Sequence, residues 1–444
     1  MDLKNNDDIT TKLHGLILYK KILQDSLMQK VLNIISLNHD NKDSNKWIQI
    51  NDYADICYML ISFGEGQSIK GDLLKRYIID LILKDENPFS IQCERIGRDI
   101  GESLRYAAIC DLEILSELLK IDLASLTIDK NKEKSGFLKN YYPSINKIND
   151  SYGFGKKYED MADGFSNKHD EGGLIYQLID FYHYMGSGVM NQYPAFRWDG
   201  NKELIGINEI DRAMLGDLIG IERQKKILVE NTEAFINGCK ANNMLLYGDN
   251  GTGKSSSIKA LVNEYANRGL RVLELSKHHF VDIPKIYELL GKRGCKFIIF
   301  MDDLSFEENE TEYKHLKAMV EGGIQVKPVN VLIYATSNRR HLINEKWSDR
   351  NKDGGDIHVR DTVQEKTSLA DRFGITLFYE SPSQKEFLRI VEALACKCNI
   401  AMPQQELSRL AIQWELSYSG RSGRTAQQFI DHLLGTIKSK EASI

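Results

Sequence analysis

Gly248-Asp249-Asn250-Gly251-Thr252-Gly253-Lys254-Ser255 has the pattern G-x-x-x-x-G-K-S. It follows the apolar run Met244-Leu245-Leu246-Tyr247 and precedes a helical pattern from Ser256 to Tyr265. Strand, glycine-rich turn and helix in that order point to an α/β nucleotide-binding unit. Glycines let the loop turn its backbone N–H groups inward on a polyphosphate, and the helix N-terminus adds partial positive charge. Residues Gly248 to Ser256 are therefore expected to cradle phosphates. Lys254 would reach the β- and γ-phosphates, and the Ser255 hydroxyl would sit where a Mg²⁺ ligand belongs. The stretch reads as a nucleoside triphosphate site.

A second strand signal carries acids. Phe297-Ile298-Ile299-Phe300-Met301 is fully apolar, as suits a strand buried on both faces of a parallel sheet, and Asp302-Asp303 follow it. Open α/β sheets place their ligands at this end of the strands. Asp302 is expected to act on Mg²⁺, a hard ion that prefers oxygen ligands. Asp303 is expected to orient or polarise an attacking water. Asn330 to Asn338 repeats the design, an apolar strand and then a polar tip ending on Asn338. Two roles fit that residue: a hydrogen bond to the water or γ-phosphate, or a simple strand cap.

Upstream, Leu218-Ile219-Gly220-Ile221 could lay apolar groups on a base, with Ile219 the residue expected to contact it. Downstream, Arg372 precedes the strand Ile375 to Tyr379. It suits either a charge projected onto a neighbouring subunit's γ-phosphate or an ordinary salt bridge with Asp371 or another acid. A helix starting just after Gly423 would aim Arg424 at the nucleotide from a lid; a solvated basic turn is the competing reading.

The 444 residues have room for about three domains. Residues 1–145 carry helical stripes, among them Ile56, Leu60 and Ile61, then Leu74, Ile78 and Ile82. Leu13 to Ile35 reads as one long helix or a bent pair. Residues 146–203 are glycine-punctuated and read as a linker with a short helix near Leu174 to Tyr184, anchored on the next domain by Phe196-Arg197-Trp198. An α/β core over 204–380 and a helical lid over 381–444 complete the division. The net charge of −5 speaks against bulk coating of nucleic acid. No apolar run approaches the roughly 20 residues of a membrane helix, the first residues do not read as a signal peptide, and seven cysteines without a framework suit reduced thiols. A cytoplasmic setting is expected.

In order, these pieces resemble an AAA+ ATPase from about residue 204 onward. The phosphate loop corresponds to Walker A, Phe297 to Asp303 to Walker B, and Asn338 to sensor 1. Arg372 looks like the arginine finger and Arg424 like the sensor 2 arginine. The segments Leu218 to Lys225, Asp302 to Phe306 and Ala335 to Leu342 look closest to a bacterial family of predicted AAA+ ATPases named only as a domain of unknown function. The resemblance implies a three-layer parallel-sheet core with a C-terminal helical lid, behind an all-helical N-terminal domain. It also implies ATP and Mg²⁺ as cofactors, hydrolysis to ADP and phosphate, and a homo-oligomer with nucleotide at subunit interfaces. Asp303 stands where the family usually has glutamate, so slow turnover is expected. No aromatic-hydrophobic-glycine pore loop is evident between Leu275 and Phe297, which weakens a protein-threading reading. Three client classes stay open: a remodelled protein, an ATP-gated binding switch, and a less favoured nucleic-acid role of the helicase-loader type.

Overall fold

The computed structural model describes residues 4–37, 46–123, 136–144, 154–166, 171–201, 203–306, 312–321, 327–338, 372–418 and 420–441. The chain forms two compact units. The first is Met1–Tyr193 with the short pieces Asn267–Gly269 and Arg293–Cys295; the second is the remainder.

The first unit is helical: α1 (Lys4–Leu13), α2 (Ser26–Leu37), α3 (Lys46–Gln67), α4 (Leu73–Lys84), α5 (Pro88–Ile96), α6 (Glu102–Leu118), α7 (Gly136–Lys139), α8 (Phe154–Ser166) and α9 (Glu171–Met185). The stripes face one core, where Ile56, Leu60, Leu74, Ile78, Ile82, Leu112 and Leu115 are buried. Over Leu13 to Ile35, expected as one long helix or a bent pair, the chain is interrupted between the end of α1 at Leu13 and the start of α2 at Ser26. Buried Asp111 of α6 accepts the backbone N–H groups of Ile17, Leu18 and Tyr19, and Asp25 caps α2 through the N–H groups of Leu27 and Met28. A carboxylate that takes three consecutive amides holds that backbone out of a helix.

The second unit is built on seven strands: β1 (Ala195–Trp198), β2 (Leu204–Gly206), β3 (Met244–Gly248), β4 (Leu270–Glu274), β5 (Lys296–Met301), β6 (Val331–Ser337) and β7 (Ile375–Tyr379). Their order is β2-β1-β4-β5-β6-β3-β7, and every pairing is parallel except β1 with β2. β6 is buried at every position. Successive side chains point to opposite faces, so both faces are covered. On one face Met244, Leu246, Ile298, Phe300, Leu332 and Tyr334 pack with Leu228 and Phe235 of α10 (Glu222–Ile236) and with Ile258 and Leu261 of α11 (Lys254–Tyr265). Three lid helices follow, Gln384–Lys397, Gln404–Ser417 and Gly423–Glu441, closed over Phe387, Val391, Ala411 and Ile430. This is a three-layer α/β P-loop fold with a C-terminal helical lid, and the N-terminal unit is helical.

The residues read as a linker divide between the two units. α8 and α9 belong to the first, whereas β1, together with β2 just past the expected linker, extends the sheet beyond β4. Phe196 and Trp198 are buried because they are sheet residues. Arg339, Arg340, Asn344 to Val359 and Ser368 to Asp371 lie outside the described residues. Among the described residues no helix is long and apolar enough to cross a membrane.

Candidate functional site: a phosphate loop facing two acids

β3 hands the chain to the loop at Gly248, whose φ is +138°. A Cβ there would lie 1.9 Å from the Tyr379 carbonyl oxygen of β7, so only glycine fits beside the neighbouring strand. Gly251 is close-packed in a second way: a Cβ would meet Ser422 Oγ at 2.9 Å and Arg424 Cβ at 3.1 Å. The lid turn therefore rests directly on the loop, and the Arg424 N–H donates to the Gly251 carbonyl at 3.3 Å. Ser422 begins the third lid helix by accepting the Thr425 N–H at 3.0 Å. Arg424 itself is exposed at that helix start.

Lys254 is 6% exposed, and its ammonium donates to the carbonyls of Gly248 (2.8 Å) and Asp249 (2.6 Å) and to Asn338 Oδ1 (3.1 Å). All three of its protons are spent. Desolvation holds the ammonium below the usual lysine value, against the opposing pull of Asp303, Asp249 and Asp302. Asn338 Nδ2 donates in turn to Asp303 Oδ1 at 2.6 Å. Lysine, asparagine and aspartate thus form one chain across the tips of β3, β6 and β5. Beside it, Ser255 Oγ donates to Asp302 Oδ1 at 2.5 Å.

Loop, acids and lid line one cleft of about 1840 Å³. Its walls include the Asp249 to Ser256 loop, Asp302, Asp303, Thr336 and Asn338, then Leu218 to Ile221, lid residues Ile390 and Leu394, and Arg424. The volume exceeds the usual small-ligand range of roughly 300–1,000 Å³ and leaves room for a triphosphate with its base. Ile219 is half-buried there and packs against the lid core. Arg372 is exposed in the turn before β7 and does not line the cleft. The oxygens of Ser255 and Asp302 suit a hard divalent ion such as Mg²⁺, and the buried ammonium beside a glycine-rich loop at a helix start suits a polyphosphate.

Two contributors escape a reading by motif. Thr336, buried in β6, donates to Asp302 Oδ1 at 2.5 Å and accepts the Asp303 N–H at 2.8 Å. Its only sequence signal is its place two residues before Asn338. Ser381, after β7, donates through both N–H and Oγ to Asp249 Oδ2 and so fixes the loop's second residue.

A comparison with curated proteins finds no match. Among solved structures, the chain is similar to the Thermotoga maritima RuvB Holliday junction branch migration motor at 18% identity. That match covers 51% of this chain and 66% of RuvB, just under two thirds, with a TM-score of 0.35. A P216G mutant of the same RuvB gives 18% identity, 51% and 67% coverage and a TM-score of 0.37. The family model described as "Protein of unknown function (DUF815)" matches residues 191–437, more than half of the chain, and the chain belongs to that family.

Proposed function

We propose that the protein is an Mg²⁺-dependent ATPase that uses hydrolysis of ATP to ADP and phosphate to change the conformation of a bound partner. The observation that carries this reading is the chain Lys254–Asn338–Asp303 beside the Ser255–Asp302 contact, all facing one cleft. The phosphates would lie on the backbone of Gly248 to Ser256, with the Lys254 ammonium exchanging hydrogen bonds to protein oxygens for hydrogen bonds to phosphate oxygens. Ser255 and Asp302 would hold Mg²⁺, which supplies neutralisation of phosphate charge when bound. Asp303 would accept the proton of the attacking water, and Asn338 would orient that water or the γ-phosphate. Arg424 would add a cation from the lid, and the base would lie between Ile219 and the lid residues Ile390 and Leu394. Adenine is assigned from the AAA+ resemblance.

Arg372, exposed and outside its own cleft, suits a role in trans in a homo-oligomer. The carboxylate of Asp303 is one methylene shorter than glutamate, which favours slow turnover. The first test is Asp303→Asn: turnover is expected to fall by about 100-fold or more while ATP binding persists. Undiminished turnover in that variant would remove Asp303 from the mechanism. The client is either a protein or, less favoured by the acidic balance, a nucleic acid. Turnover stimulated by DNA or RNA and steepening at low salt would select the latter.

A further inference from the structure

We propose that Thr336 is a positioning residue: its hydroxyl selects which oxygen of Asp302 faces the cleft and holds Asp303 in the left-handed conformation that presents its carboxylate. This rests on the site being an Mg²⁺–nucleotide site, as proposed above. A threonine hydroxyl has one proton and two lone pairs. Here the proton goes to Asp302 Oδ1 at 2.5 Å and a lone pair takes the Asp303 N–H at 2.8 Å. One hydroxyl is therefore bound to both consecutive acids and is fixed in rotation by the two together.

The consequences differ for each acid. Asp302 Oδ1 already accepts the Ser255 hydroxyl, so with Thr336 it carries two short, charge-assisted O–H donors. That fixes the plane of the carboxylate and leaves Oδ2 as the oxygen offered to a cation. Asp303 has φ +48°, a region that side chains other than those of asparagine, aspartate and histidine seldom enter. The residues after β5 are held to the tip of β6 at three points: Asp303 N–H on Thr336 Oγ1, Leu304 N–H on the Thr336 carbonyl at 2.7 Å, and Ser337 Oγ on the Leu304 carbonyl at 2.7 Å. The two backbone-accepting contacts at Leu304 would form with any residue at position 336. The one that reaches Asp303 needs a hydroxyl.

Thr336 is 1% exposed and sits in a central strand opposite Leu246 of β3, so its own position is rigid. A residue there for packing alone and a residue there for its hydroxyl give opposite mutant patterns. Thr336→Val keeps the shape and removes the hydroxyl; Thr336→Ser keeps the hydroxyl and removes the methyl. ADP affinity, measured calorimetrically in MgCl₂ and in EDTA, is read beside kcat and KM for ATP.

The expected result is that Thr336→Val needs about tenfold more Mg²⁺ for half-maximal tightening of ADP and loses about tenfold in kcat, in the range seen when partners behind metal ligands are removed. Its ADP affinity in EDTA should stay within about twofold of wild type, and Thr336→Ser should stay near wild type in every readout. A valine variant that behaves as wild type, or a serine variant as impaired as valine, overturns the proposal. Wild-type ADP binding that is indifferent to Mg²⁺ would overturn the site reading and this proposal together, so the two failures are told apart by the wild-type protein alone.

Discussion

The helical unit and the sheet unit put polar groups to opposite ends. In the helical unit the most deeply buried acids, Asp111 and Glu94, are consumed by the scaffold. Asp111 is closed by three backbone amides, and Glu94 takes the Ser187 N–H and hydroxyl, the Arg293 guanidinium and the Gly294 N–H. In the sheet unit the polar groups Lys254, Asn338, Asp303, Asp302 and Ser255 stand at strand tips, bonded to one another and facing one cleft. Polar groups mark a site when they converge on open volume, and mark architecture when they close on backbone.

That contrast is broken most severely at the lysine. Lys254→Ala is expected to weaken ATP binding by about 100-fold or more, the loss of a charge-assisted contact. The melting temperature of the nucleotide-free protein should move by no more than a few degrees, because the lysine's charge is held against desolvation. A large stability loss with intact binding would place Lys254 with the architecture instead. Asp111→Ala should do the reverse: about 3 kcal/mol of stability lost, from amides left buried without an acceptor, and ATP affinity unchanged in the folded protein. Calorimetric unfolding and nucleotide titration of the two variants side by side decide the matter.

The smallest expected effect is a pH dependence. Burial raises the pKa of Asp80 in α4, with Lys84 opposing. An acid with a raised folded-state pKa binds more protons folded than unfolded. Its contribution is therefore complete below the ordinary carboxylate value and is lost as pH rises through the raised one. Asp80→Asn removes that loss, so the variant's melting temperature should gain on wild type between about pH 4 and pH 7. A difference that stays constant over that range would mean Asp80 titrates at its ordinary value.

The strands β3, β5, β6 and β7 were legible because each is a largely apolar run with a glycine or a polar tip, and the loop was legible because its glycines are dictated by close approach, as Gly248 against Tyr379 shows. The helical lid over 381–444 was legible by the helical spacing of its apolar residues, of which Phe387, Val391, Ala411 and Ile430 are buried. β1 and β2 were not. They have four and three residues, with Arg197 and Ile205 exposed, too short to show a period within a polar stretch. The break between α1 and α2 was hidden for another reason: the acceptor that imposes it, Asp111, lies 94 residues from Ile17. Thr336 was hidden by ordinariness, since threonine in a strand is expected on β propensity alone. The role of Arg372 depends on a second subunit, which one chain's spacing does not describe.

The measurement that bears most directly on the central claim is phosphate release from ATP per subunit, in MgCl₂ and in EDTA, across a range of protein concentration, with Lys254→Ala as the blank and Arg372→Ala alongside. The account predicts slow turnover that requires Mg²⁺, vanishes in Lys254→Ala, rises per subunit with concentration and is lost in Arg372→Ala. Wild-type protein that binds ATP yet releases phosphate no faster than Lys254→Ala at any concentration would contradict it.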